Sequence, residues 1–136
     1  MTSGELAWYL DSSALVKLVL AEIETPALRA HLLTVEATVT SQLARVEVPR
    51  ACRRTDPASG PRSRLTLDSV TTVVDVDDQI VAEAAGLEPS ILRSLDAIHL
   101  ATARQFGTTL GGMITYDERL ADAASANGIE VVCPGR

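Results

Sequence analysis

Short β-branched or apolar runs alternate along the chain with stretches of helical spacing. Residues 5–11 (ELAWYLD) are apolar up to Asp11 and predict a buried strand. In 12–22, Ala14, Leu15, Leu18 and Val19 recur at helical spacing, with Ser12 or Ser13 as the N-cap. Residues 24–34 predict a second helix that holds Pro26 in its first turn. The β-branched run 37–41 (ATVTS) predicts a strand. Residues 41–54 follow a helical pattern with Leu43, Val46 and Ala51 on one side, and Pro49 kinks or bounds one of its turns. Pro57, Gly60 and Pro61 mark 56–64 as a loop, with a helix resuming near Leu65.

The second half repeats the alternation. Residues 69–77 (SVTTVVDVD) predict a strand and 77–87 a short helix with Gly86 near its end. After a connection over 88–95, a helix from Asp96 to Gly107 turns Ala97, Ile98, Leu100 and Ala101 inward. Residues 111–117 (GGMITYD) predict a strand, 117–128 a helix stopped at Asn127-Gly128, and 129–134 a last short strand closed by Pro134. Strand–helix alternation of this kind predicts an α/β fold, a three-layer α/β/α sandwich around a mostly parallel sheet. The 136 residues suit one domain, 1–136, with no repeat or low-complexity segment. Sheets of this type bind ligands beyond the carboxyl ends of their strands.

Composition narrows the function. Only 3% of residues are aromatic, which argues against a stacking platform for single-stranded nucleic acid. No apolar stretch approaches the ~20 residues of a membrane helix. The N-terminal stretch through Glu5 lacks the basic region of a secretory signal. Cys52 and Cys133 are too few for a disulfide framework and read as small buried hydrophobes in a reducing cytoplasm. The net charge of −6 argues against a protein that coats nucleic acid, but the charge is uneven. Residues 45–64 carry +4, between an N-terminal part at −3 and a C-terminal part at −7. Eleven arginines accompany a single lysine, Lys17, and the planar guanidinium suits phosphate oxygens. Taken alone, the basic segment reads as a solvated helix face and loop.

Four acids occupy informative places. Asp11 and Asp117 end strands, Asp96 lies in the first turn of a helix, and Glu47 lies inside a helix among Leu43, Ala44, Val46 and Val48. Taken singly, Asp11, Asp96 and Asp117 suit helix starts, and Glu47 suits a wet face near Arg50 and Arg54. Taken together, they offer the hard oxygen ligands of Mg2+ or Mn2+. Such a site supports phosphodiester hydrolysis, because a bound cation lowers the pKa of water and stabilises the attacking and leaving oxygens.

YLDSSALVKL, SQLARVEVPRA, SLDAIHLATA and ITYDERLADAA with a closing GIEVVCP resemble the PIN-domain family, and within it the VapC-type ribonuclease toxins of type II toxin–antitoxin pairs. The resemblance runs in order over nearly the whole chain. It implies a metal-dependent endoribonuclease, the toxin of such a pair, with an acidic pocket for Mg2+ or Mn2+. Carried over by position, Asp11, Glu47, Asp96 and Asp117 match the family's four acids. Asp11 and Asp96 are then the central metal ligands, Glu47 and Asp117 complete the pocket, and one of the four acts as base toward water. Ser13, Ser41 and Thr115 stand where the family often carries a small hydroxyl residue, a role that helix capping or strand ends would also explain. The implied partners are an RNA substrate, a cognate small antitoxin whose tail crosses the pocket, and a second copy in a homodimer. The helices near 14–33 offer a surface for either protein partner.

Other residues are assigned blander roles. His99 is expected to be a packed, satisfied histidine rather than a general base, His31 a surface residue, and Asp122 a solvated acid. Gly111-Gly112 precedes a strand, not a helix, so it does not form a phosphate loop. Arg53 and Arg54 are expected to contact RNA. A phosphoacceptor receiver domain would need a late lysine, which the chain lacks. A PIN-fold nuclease of RNA maturation and a non-catalytic PIN-like interaction module are the remaining alternatives.

Overall fold

The computed structural model describes residues 6–136; the expected strand start at Glu5 and the N-terminal leader reading lie outside the described residues. Five strands form one sheet: β1 (Ala7–Leu10), β2 (Ala37–Ser41), β3 (Thr72–Val74), β4 (Leu110–Ile114) and β5 (Val131–Val132). Their order is β3-β2-β1-β4-β5, and every neighbouring pair is parallel. Seven helices supply the connections: α1 (Ser12–Val19), α2 (Thr25–Leu32), α3 (Ala44–Thr55), α4 (Gly60–Ser69), α5 (Asp78–Gly86), α6 (Ser94–Arg104) and α7 (Glu118–Ala126). A 3-10 turn at Gly107–Thr109 precedes β4.

Strand alternation sorts the core onto two faces. Tyr9, Val39 and Met113 pack against Ile80 of α5, Leu100 of α6 and Leu120 of α7. Leu10 and Ile114 point the other way, toward Ala14 and Leu15 of α1, Leu28 of α2, Val48 of α3 and Leu67 of α4. These are the three layers the alternating pattern predicts. The glycines of β4 serve this packing: a Cβ on Gly112 would stand 2.6 Å from the Trp8 indole and 2.8 Å from the Glu130 carbonyl. Gly111-Gly112 therefore lies within a strand, beneath a ring that needs the space.

Several local expectations are corrected. Asp11, not Ser12 or Ser13, is the N-cap of α1, and its side chain accepts the Ala14 N–H. The buried stripe of α3 is Ala44, Val48 and Cys52, while Val46 is 59% exposed. Pro49 lies inside α3, as the helical pattern over 41–54 has it. α4 begins at Gly60, within the expected loop, because Pro61 fits a first helical turn where its missing N–H costs nothing. Of the cysteines, Cys52 is fully buried and Cys133 partly so, and both are free thiols. His31 is not a plain surface residue: it is half-buried, edge-on to Trp8 at 5.1 Å between ring centroids.

Candidate active site

β1 and β4 stand side by side in the middle of the sheet, and α1 and α7 leave from their carboxyl ends. The chain connections diverge at this point in the strand order, the place where sheets of this kind bind their ligands. Asp11 follows β1 directly and is 4% exposed. Ser13 Oγ lies 2.7 and 2.9 Å from its two carboxylate oxygens, and Thr115 Oγ1 donates to Oδ2 at 2.7 Å. The same Ser13 hydroxyl accepts the Tyr116 N–H at 2.9 Å, which ties the end of β4 to the start of α1. Burial pushes the Asp11 carboxyl above its usual range, against the opposing pull of His99, the two hydroxyls and the Ala14 N–H.

Asp117 caps α7, with Oδ1 accepting the Arg119 and Leu120 N–H groups. Its Oδ2 faces Arg93 Nη2 at 3.5 Å, while Arg93 Nε donates to Asp96 Oδ2 at 3.4 Å. One guanidinium thus spans the carboxylates of α6 and α7. Burial and the neighbouring Asp117 charge raise the Asp96 carboxyl, and Arg93 pulls it back.

Glu47 reaches the crevice from α3. It accepts the Ser12 hydroxyl at 2.7 Å and contacts His99 Nε2 at 2.7 Å, rather than pairing with Arg50 or Arg54. Burial pushes this carboxyl up, but the His99 and Ser12 hydrogen bonds outweigh it and hold Glu47 below the usual carboxylate range. A carboxylate that stays ionised makes His99 Nε2 the donor, which leaves Nδ1 to accept from the Tyr9 hydroxyl at 2.6 Å. His99 is therefore packed and satisfied, as the apolar helix around it implies, yet it also orients a site acid.

The fold brings Asp11, Asp96, Asp117 and Glu47 to one end of the sheet, together with Ser13 and Thr115. Ser41 does not join them: it is buried, and its hydroxyl accepts the Leu43 N–H at 3.0 Å where the chain enters α3. Asp122 is exposed and lines a separate cavity of about 800 Å3 with Pro89, Ile91 and Leu92, which contains none of the four acids. Chemistry, not concavity, locates the site. Sequence reasoning missed Arg93, Ser12 and the Tyr9–His99 pair. An arginine three residues before Asp96 was a usable signal, because i,i+3 positions are neighbours at a helix start.

The donor set fits a hard divalent cation. Asp11 is a buried carboxylate that two hydroxyls do not fully compensate, and Asp96 is raised by burial and by a second acid beside it. Both would be relieved by positive charge. Among the described residues, no group of three or more His, Cys, Asp or Glu side chains is already drawn together to hold an ion. Arg93 supplies cationic charge between Asp96 and Asp117.

Comparison with known proteins places the chain in a family. Residues 8–126 match the PIN domain family. Ribonuclease VapC46 of Mycobacterium tuberculosis is 45% identical over 128 residues, covering 94% of this chain and 98% of that protein. Ribonuclease VapC35 of the same species is 42% identical over 135 residues, covering 94% and 97%. The crystal structure of Mycobacterium tuberculosis VapC20, a sarcin-ricin loop cleaving toxin, superposes with a TM-score of 0.73 at 18% identity, covering 93% of this chain and 99% of that one. A toxin–antitoxin complex from Klebsiella pneumoniae gives 0.70 at 23% identity, covering 93% and 96%. The chain belongs to the PIN-domain family and, within it, to the VapC ribonucleases.

Proposed function

We propose that this VapC-family toxin endoribonuclease hydrolyses RNA phosphodiester bonds with a divalent cation, Mg2+ or Mn2+, held by Asp11 and Asp96 and completed by Glu47 and Asp117. The observation that carries the reading is the placement of Asp11: a nearly buried carboxylate at the carboxyl end of a central strand, raised by burial although two hydroxyls and an N–H address it. An ion there would lower the pKa of a bound water and stabilise the oxygens of the displacement. The protein's own groups do the positioning. Thr115 and Ser13 fix the Asp11 carboxylate, Ser12 and His99 fix Glu47, and Arg93 offers a guanidinium to phosphate oxygens.

The RNA track follows from helix geometry. At 3.6 residues per turn, Arg54 lies roughly 20° and Arg50 roughly 60° around α3 from Glu47, whereas Arg53 lies about 120° away. All three are exposed. Arg50 and Arg54 extend the Glu47 face away from the acids, so they are the better phosphate contacts, with Arg53 contributing from the flank. The other partners are a small antitoxin with a basic tail, which suits an acidic crevice, and a second copy of the chain. Ile23 at 92% and Leu33 at 89% exposure make the 14–33 region a candidate surface for a protein partner.

The test is cleavage of total RNA by the purified chain with EDTA, Mg2+ or Mn2+, beside Asp96→Asn. Cleavage is expected only with the ion, and to fall by at least ~100-fold in the variant, the scale of losing one catalytic group. Cleavage in EDTA, or a variant as active as the parent, would overturn the metal assignment.

A further inference from the structure

We propose that Arg93 is a tethered counter-cation which an incoming divalent ion must displace from the acidic crevice. The proposal rests on the metal reading above and adds a competitor for the same oxygens. Arg93 stands just outside α6, at its N-cap position with extended backbone (φ −65°, ψ 151°). Its side chain is 65% exposed, yet it reaches Asp96 of α6 and Asp117 of α7 at once. Both contacts go to Oδ2 atoms, at 3.4 Å from Nε and 3.5 Å from Nη2. Each carboxylate receives a single long contact rather than a paired fork, so the arginine is held loosely.

Mg2+ binds carboxylate oxygen at about 2.0–2.1 Å. An ion seated on Asp96 Oδ2 or Asp117 Oδ2 would take the place Arg93 holds, since both oxygens face its guanidinium. Without the ion, Arg93 reduces the repulsion between the two acids. A divalent ion bound there would take over that role and free the guanidinium. It remains tethered to the rim of the crevice, where its planar fork matches phosphate oxygens. The exchange thus leaves a cation among the acids and a free arginine beside them. By contrast, Arg119 sits at the start of α7, and only its backbone N–H touches Asp117.

The experiment uses the full chain without RNA. Mg2+ is titrated while the Arg93 Nε–H resonance is followed by NMR, assigned by its loss in Arg93→Lys, together with the Asp96 backbone amide. Mn2+ affinity is measured by calorimetry in the parent, Arg93→Gln and Arg119→Gln. The expected result is that Mg2+ shifts the Asp96 amide and exposes the Arg93 Nε–H to rapid exchange with water. Arg93→Gln binds Mn2+ several-fold tighter, and Arg119→Gln changes little. An Asp96 amide that responds while Arg93 does not would overturn the proposal and leave the metal reading standing. Equal tightening in both glutamine variants would overturn it too, as a general charge effect. If neither resonance moves and no heat is released, the crevice does not take the ion, and the metal reading falls with the proposal.

Discussion

Asp11 caps α1 through the Ala14 N–H, receives the Ser13 and Thr115 hydroxyls, and lies almost wholly out of solvent. These demands conflict, because burial favours the neutral acid while the site needs the anion. The folded chain therefore holds the Asp11 proton more tightly than the unfolded chain does. Below the unfolded carboxylate range both states are protonated and the conflict is absent. As pH rises past about 4, the unfolded state ionises first, so folding stability falls until the folded state ionises as well. Asp11→Asn removes the buried charge and keeps a good N-cap. In EDTA at pH 7 the variant should melt a few degrees above the parent, as expected for roughly 1 kcal/mol in a domain of this size, with the gain vanishing near pH 3. Thermal unfolding at the two pH values checks this, and a lower melting temperature at pH 7 would contradict it. Single residues of this kind were legible in the sequence, since a strand end or helix start marks each aspartate. The contacts between elements were not: Ser12, Glu47 and His99 meet only after α1, α3 and α6 have packed.

At the scale of one element, α3 shows how a correct helix can be read with the wrong face. Leu43, Val46 and Ala51 looked like its apolar side, but the core takes Ala44, Val48 and Cys52. The helix is amphipathic in two senses at once, with small apolar residues inward and arginines outward, so spacing alone admits more than one orientation. Its orientation matters for substrate. With Val48 inward, Glu47 turns to the crevice and Arg54 stands nearly above it, two turns along the helix. Arg54→Ala should weaken RNA binding and reduce the slope of log affinity against log salt by about 0.7, the value for one phosphate contact on a single strand. Arg53→Ala should move both quantities less. A salt titration of RNA binding, with Ca2+ replacing the active ion, measures the two variants together. A larger loss in Arg53→Ala would place the RNA farther round α3, away from the Glu47 face.

For the whole molecule, the alternation of strands and helices made the parallel sheet and its layers legible, and with them the end of the sheet where chemistry belongs. The contacts that hold that end in place were not legible, because they join distant segments. Lys17 of α1 is buried and pairs with Glu24 at 3.0 Å, and Glu24 also accepts Arg136 Nε at 2.8 Å. Lys17 and Arg136 both lie over the Tyr116 ring, whose hydroxyl donates to the Pro134 carbonyl. Cys133 Sγ reaches the Thr115 carbonyl at 3.0 Å. These contacts hold Thr115 and Tyr116, and so the approach to Asp117, against the segment after β5. Hydrogen bonds from Arg136 and then Lys17 hold the Glu24 carboxyl down at about 2. A depressed carboxylate stabilises the fold at pH values above its unfolded value, and that stabilisation is lost as pH falls toward the folded one. Glu24→Gln should therefore lower the melting temperature at pH 7, and the gap to the parent should narrow steadily between about pH 4.5 and pH 2. Because Lys17 keeps Glu22 at 3.4 Å, the variant should still fold. Thermal unfolding across that range, read beside Asp11→Asn, separates the two groups: one substitution is stabilising and the other destabilising at neutral pH, and both lose their effect in acid. A Glu24→Gln gap that stays constant down to pH 2 would mean that packing around Glu24, rather than its charge, carries the link.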